Sequence, residues 1–146
     1  MATTSALETL IDLAQRASDD CARRLGIARK ALEEAQQKLQ MLHGYRDEYA
    51  QRLESAQMAG ITPLAYHNFV AFVAKLDTAI SGQRDVLRHA EARVTMEQKA
   101  WQESERKRLS YRTLTERAAA QALKVENKRD QKLMDDHAAR SAYYKR

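Results

Sequence analysis

By residue type, four histidines, one cysteine and one acid-rich run are the parts of this chain that could do chemistry. His43, His67, His89 and His137 stand far apart, and none falls in a His-Glu-x-x-His frame, which sets two imidazoles on one helix face for zinc. Asp135-Asp136-His137 would need donors from elsewhere to hold a metal, and reads more simply as an exposed helix end. Cys21 is the sole thiol, so no disulfide closes within the chain, and a reducing compartment fits. A glycine-rich phosphate loop and a G-x-S-x-G elbow are both missing. The expectation is a protein with no catalytic residue, no metal site, no cofactor and no enzymatic activity. What the sequence does offer is aromatics at helical spacing and a run of basic residues near the C-terminus, types that bind other macromolecules.

These residues are positioned by a heptad pattern. Leu7, Ala14, Cys21, Ala28, Ala35, Leu42, Tyr49 and Ala56 recur every seven residues and are all apolar. Ile11, Ser18, Leu25, Leu32, Leu39, Arg46 and Leu53 interleave with them at spacings of three and four. With Ile11 at position a, the Leu7 series is position d, and the two form a coiled-coil seam. Ser5 and Glu8 have the spacing of a capping box, so the first helix is expected over 5–57, on the order of 80 Å long. Residues 58–62 are the turn. There Gly60 can end one helix in a left-handed conformation, and Thr62-Pro63 supplies an N-cap and a first helical residue. A second helix is expected over 63–139 and a loose tail over 140–146, all in a single domain 1–146.

A short turn between two long amphipathic helices makes them antiparallel neighbours. The fold class is therefore all-α, an antiparallel two-helix coiled coil with an overhanging C-terminal helix. On the second helix the seam is Tyr66, Val73, Ile80, Leu87, Val94, Trp101, Arg108 and Thr115, with Phe69, Leu76, Gln83, Ala90, Glu97, Ser104 and Tyr111. Folding about the turn sets Leu42 against Ile80, Cys21 against Trp101 and Ser18 against Ser104, small facing large in most layers. Leu25 against Glu97 and Ala14 against Arg108 make the end remote from the turn the poorer one, expected to fray.

Composition agrees with long helices and not with a compact globule: one Pro, four Gly and 31% charged residues. No apolar run approaches the ~20 residues of a membrane span, and no signal-peptide core opens the chain. The net charge of +5 comes from the second half, where residues 61–146 carry seventeen Lys/Arg and eleven Asp/Glu. A basic half suits nucleic acid, anionic lipid or an acidic protein face, yet acids are interspersed throughout, as on a solvated helix. A nucleic-acid-binding coiled coil and a plain basic scaffold both stay open at this point.

Two surfaces ask for a partner. Tyr45 and Phe72 fall at g positions, and in an antiparallel pair g faces g on one flank. Leu42, Tyr45 and Tyr49 with Phe72, Leu76 and Ala79 then form one ridge, which Arg46 at an a position is expected to leave open. The second surface is the overhang, since nothing in the first helix reaches the residues beyond about 117. Leu114, Ala118, Ala122 and Val125 keep apolar spacing there, beside Arg117, Lys124, Asn127, Lys128, Arg129, Asp130 and Lys132. An isolated helix of that length is marginal in water, so it frays alone or is buried by another protein.

The chain resembles the FliJ family, the small coiled-coil component of the bacterial flagellar type III export apparatus. The resemblance covers nearly the whole chain and is carried by Ala6 to Leu10, Met41-Leu42, Tyr45, Glu48-Tyr49, Phe72, Leu76 and Ala79-Ile80. It returns at Thr113-Leu114, Glu126-Asn127, Asp130 to Lys132 and Met134-Asp135, where the polar run is more telling than any leucine. The resemblance implies a hairpin similar to the central stalk of rotary ATPases, in the cytoplasm and peripherally held at the inner-membrane export apparatus. The partners it implies are the hexameric export ATPase FliI, the export gate protein FlhA and export chaperones whose recycling it assists. It implies the Leu42–Ala79 ridge for the gate and the overhang for the ATPase ring. Family members can carry Gln and His on the ridge flanks, where this chain has Lys38 and Gln83.

Overall fold

The computed structural model describes residues 2–145, with side chains over 5–145. Two helices make up the fold, α1 (Ala2–Ala59) and α2 (Pro63–Tyr144), with no strand among the described residues. They pack as an antiparallel hairpin. Contacts divide the chain into two units, residues 19–102 and residues 1–18 with 103–146.

The turn lies in the first of these units. Gly60 has φ +87°, the left-handed conformation that ends α1, and its N–H donates to the Gln57 carbonyl at 3.3 Å. Thr62 caps α2: its hydroxyl oxygen accepts the Ala65 N–H at 3.2 Å, and Pro63 opens the helix. Beyond the turn, unit 19–102 is held by cross-helix contacts. The Tyr49 ring stacks on Phe72, 4.2 Å between centroids, and meets Phe69 edge-on at 6.3 Å. Arg46 pairs with Asp77, and the Gln83 side-chain amide donates to the Ala35 carbonyl at 3.1 Å. All of these pairs fall within about one helical turn of the register expected from the heptads.

The seam has the expected membership. Every a and d residue of α1 from Leu7 to Ala56 is buried or half-buried, as is every one of α2 from Phe69 to Thr115. Tyr66 is the exception and stays exposed. It belongs to the last layer before the turn, so no further layer covers its ring.

In the second unit, Ala14 and Ser18 are buried. The Ser18 hydroxyl donates to Glu105, one residue from the Ser104 expected opposite it. Glu105 also accepts two hydrogen bonds from Arg108, at 3.1 and 2.8 Å. The polar layers are therefore satisfied: no buried side-chain nitrogen or oxygen among the described residues lacks a partner.

The helix ends differ from expectation. α1 starts at Ala2, so Ser5 is an interior residue whose carbonyl accepts the Thr9 hydroxyl at 2.9 Å. With no Gly or Pro in residues 2–4, nothing stops the helix short of Ser5. At the other end the expected tail over 140–146 is helical to Tyr144, and the Lys145 N–H continues the ladder to the Ser141 carbonyl at 3.2 Å. Ala138, Ala139, Arg140 and Ala142 are helix formers with no stop signal among them. Met1 and Arg146 lie outside the described residues.

Candidate partner-binding surfaces

The turn-proximal ridge is built in unit 19–102. Tyr45 and Phe72 at their g positions are 47% and 39% exposed, Ala79 is exposed, and Leu42 and Tyr49 are half-buried. Leu76 is 8% exposed and lies in the seam, where it supports the ridge without forming its surface. Tyr49 does both: one face stacks on Phe72, and the Arg52 guanidinium sits 5.4 Å from its ring centroid. Arg46 turns to the flank opposite the ridge and pairs there with Asp77, which raises the guanidinium's already high pKa. Gln83 is buried and turned toward the α1 backbone, while Lys38 is exposed.

These contacts also separate the two flanks of the hairpin. Within unit 19–102, Tyr49 meets Phe72 on the side of the g positions, whereas Arg46 at a meets Asp77 at e on the other side. Ser18 and Glu105 repeat the a-to-e contact in the other unit.

The overhang belongs to unit 1–18 with 103–146. Every residue from Glu116 to Arg140 is exposed, including Leu123, Val125, Leu133 and Met134. Helical spacing puts Arg117, Lys124 and Lys128 along one edge of the Leu114–Ala118–Val125 stripe, with Arg129 and Lys132 close to it. Asn127 and Asp130 fall on the opposite side of the helix. The structure thus brings the ridge residues together on one unit and leaves the overhang residues uncovered on the other. Among the described residues no cluster of three or more His, Cys, Asp or Glu could hold a metal ion, and no helix is long and apolar enough to cross a membrane.

The family model for the flagellar FliJ protein matches residues 3–146. The chain belongs to the FliJ family. The flagellar FliJ proteins of Escherichia coli K12 and Salmonella typhi are each 38% identical to it over 145 residues, 99% of either chain. A solved structure from Chlamydia trachomatis, described as that of a YscO homologue, shares the fold: TM-score 0.71, covering 94% of this chain and 90% of that one, at 16% identity. The FliJ match runs through both surfaces, from the Tyr45–Ala79 ridge to the uncovered end of α2. Sequence reasoning overlooked the Ser18–Glu105–Arg108 cluster. A serine at an a position opposite a Glu at e was its only signal.

Proposed function

We propose that this FliJ-family chain is a non-enzymatic component of flagellar protein export that docks the hexameric export ATPase FliI through its overhang. The observation that carries the reading is the run 116–140, one bare helix with an apolar stripe and a basic edge continuing from a paired hairpin. A helix in that state gains stability by entering a complementary cavity, and its Arg and Lys residues suit acidic side chains and carbonyl groups lining a ring. A single helix inside a six-fold ring contacts the subunits unequally. It therefore favours nucleotide-binding states at some interfaces over others, which is how a protein with no catalytic groups stimulates an ATPase.

The second contact in this reading is the export gate protein FlhA, bound through Tyr45, Phe72 and the half-buried Leu42 and Tyr49, with Ala79 flat enough to permit close approach. Leu76 contributes from beneath. Engaging ATPase and gate through separate surfaces couples nucleotide state to export, and the same exposed helices receive export chaperones during recycling. The protein would act in the cytoplasm, at the export apparatus on the inner membrane.

The test is ATPase stimulation by full-length protein and by a chain ending at Glu116. Stimulation is expected to disappear in the shortened chain while the helical circular-dichroism signal per residue is kept. Undiminished stimulation would remove the overhang from the mechanism.

A further inference from the structure

Exposed apolar side chains in unit 19–102 are not scattered. Away from the turn, over 19–57 and 71–102, the exposed large hydrophobic residues are Ile27, Met41, Tyr45, Phe72, Val86 and Met96. All six fall at g or c positions, on the flank where Tyr49 stacks against Phe72. Tyr45 and Phe72 belong to the ridge near the turn. Ile27, Val86 and Met96 lie further along and are 66%, 52% and 55% exposed. The antiparallel register sets Ile27 level with Met96 and Lys38 level with Val86. Ala31 lies between them, and Gly82 and Ala100 lie just beyond either end, so the floor of the flank is low.

The charges on this flank lean basic, five Lys/Arg against three Asp/Glu at its g and c positions. In this unit the charged g residues of both helices are Arg24, Lys38, Arg52 and Arg93, with no acid among them. On α2 the c positions add Lys75 and His89 and again no acid. The α1 c positions carry Asp20, paired with Arg23 at 3.3 Å, Glu34, and Glu48, paired with Arg52 at 2.8 Å near the turn. Beyond the ridge, Arg93 spends one hydrogen bond on Glu97 at 3.0 Å yet keeps 63% of its side chain exposed. The opposite flank is of mixed sign and is bridged by the Arg46–Asp77 pair.

We infer that the Ile27–Val86–Met96 flank is a docking site for an acidic amphipathic helix of another protein. Such a helix lays its apolar stripe between α1 and α2, over Ile27 and Met96, and directs Glu or Asp residues on either side of the stripe to Arg24, Lys38 and Arg93. A third helix in this groove converts a two-helix seam into a three-helix one, and the small residues permit close backbone approach. A second copy of this chain does not fit the chemistry. Its own uncovered helix, 116–140, carries six Lys/Arg against Glu116, Glu126, Asp130, Asp135 and Asp136, so it lacks the acidic excess that this flank would attract. The site is separate from the ridge and stands whether or not the ridge binds the gate.

The experiment uses full-length protein and two synthetic helical peptides of about three heptads with identical apolar stripes, one flanked by Glu and one by Lys. Fluorescence anisotropy is expected to show saturable binding of the Glu-flanked peptide that weakens with added salt, and at least about tenfold weaker binding of the Lys-flanked one. Ile27→Ser with Met96→Ser should cost the Glu-flanked peptide about tenfold or more. Arg93→Glu with Lys38→Glu should shift the preference toward the Lys-flanked peptide, and Tyr45→Ala should leave both affinities unchanged. All these positions are exposed, and unchanged helicity by circular dichroism verifies the fold. Equal binding of the two peptides, no effect of the double serine variant, or self-association abolished by those serines would each overturn the proposal.

Discussion

At the residue scale, the polar groups inside the seam matter more than their number suggests. Glu105 accepts two hydrogen bonds from Arg108 and one from Ser18, and these hold its carboxyl below the ordinary carboxylate value of 4.5. A depressed folded-state pKa stabilises above the unfolded value, and that contribution is lost as pH falls through the folded value. Glu105→Gln should therefore lower the melting temperature at neutral pH. The gap from the parent should close as the pH is taken below the ordinary carboxylate range. A gap that stays constant down to acid pH would mean the carboxylate charge plays no part. Tyr49 is a second case where contacts change what a substitution tests. Its stacking on Phe72 is worth about 0.5–1.5 kcal/mol beyond area burial, so Tyr49→Ala weakens the hairpin as well as the ridge. Tyr45→Ala is the cleaner probe. Gate affinity should fall with no change in thermal stability, as measured by titration calorimetry and melting.

At the element scale, the pattern of the two helices was legible in the sequence because the period of the apolar residues is the cause of the packing. Gly60, Thr62 and Pro63 have residue-level reasons for their places, and those reasons hold in the structure. The helix ends were less legible. Ser5 with Glu8 has capping-box spacing, but a cap forms only where something ends the helix before it, and nothing in residues 2–4 does. The Ser18–Glu105–Arg108 cluster was hidden because heptad rules rank Ser18 as a seam defect, and only the angular reach of an e-position Glu reveals its partner. The exposed part of the ridge, Tyr45, Phe72 and Ala79, could be drawn from g positions, whereas the inward placement of Leu76 and Gln83 follows from their d positions. At Gly60, Ala would be forced into the left-handed region at a cost of about 1 kcal/mol or more. Gly26→Ala and Gly44→Ala should do the opposite, each adding roughly 0.5–1 kcal/mol, since a Cβ at either position meets nothing within 4 Å. Urea titration of the three variants would check both signs.

At the scale of the whole molecule, the proposed docking to the export ATPase rests on unequal helix lengths. α1 has 58 residues and α2 has 82, so α2 has residues that no seam can cover. Natural helices that bare are stable when something else buries them. The account therefore hinges on the state of residues 117–133 with and without the export ATPase. Amide hydrogen exchange, followed by mass spectrometry on the full-length protein alone and mixed with FliI hexamer, reads that state directly. The account predicts fast exchange across 117–133 in the free protein and strong protection once the ATPase is added, with the seam residues around Ile80 slow in both. Protection already present in the free protein, or none gained in the complex, would contradict it.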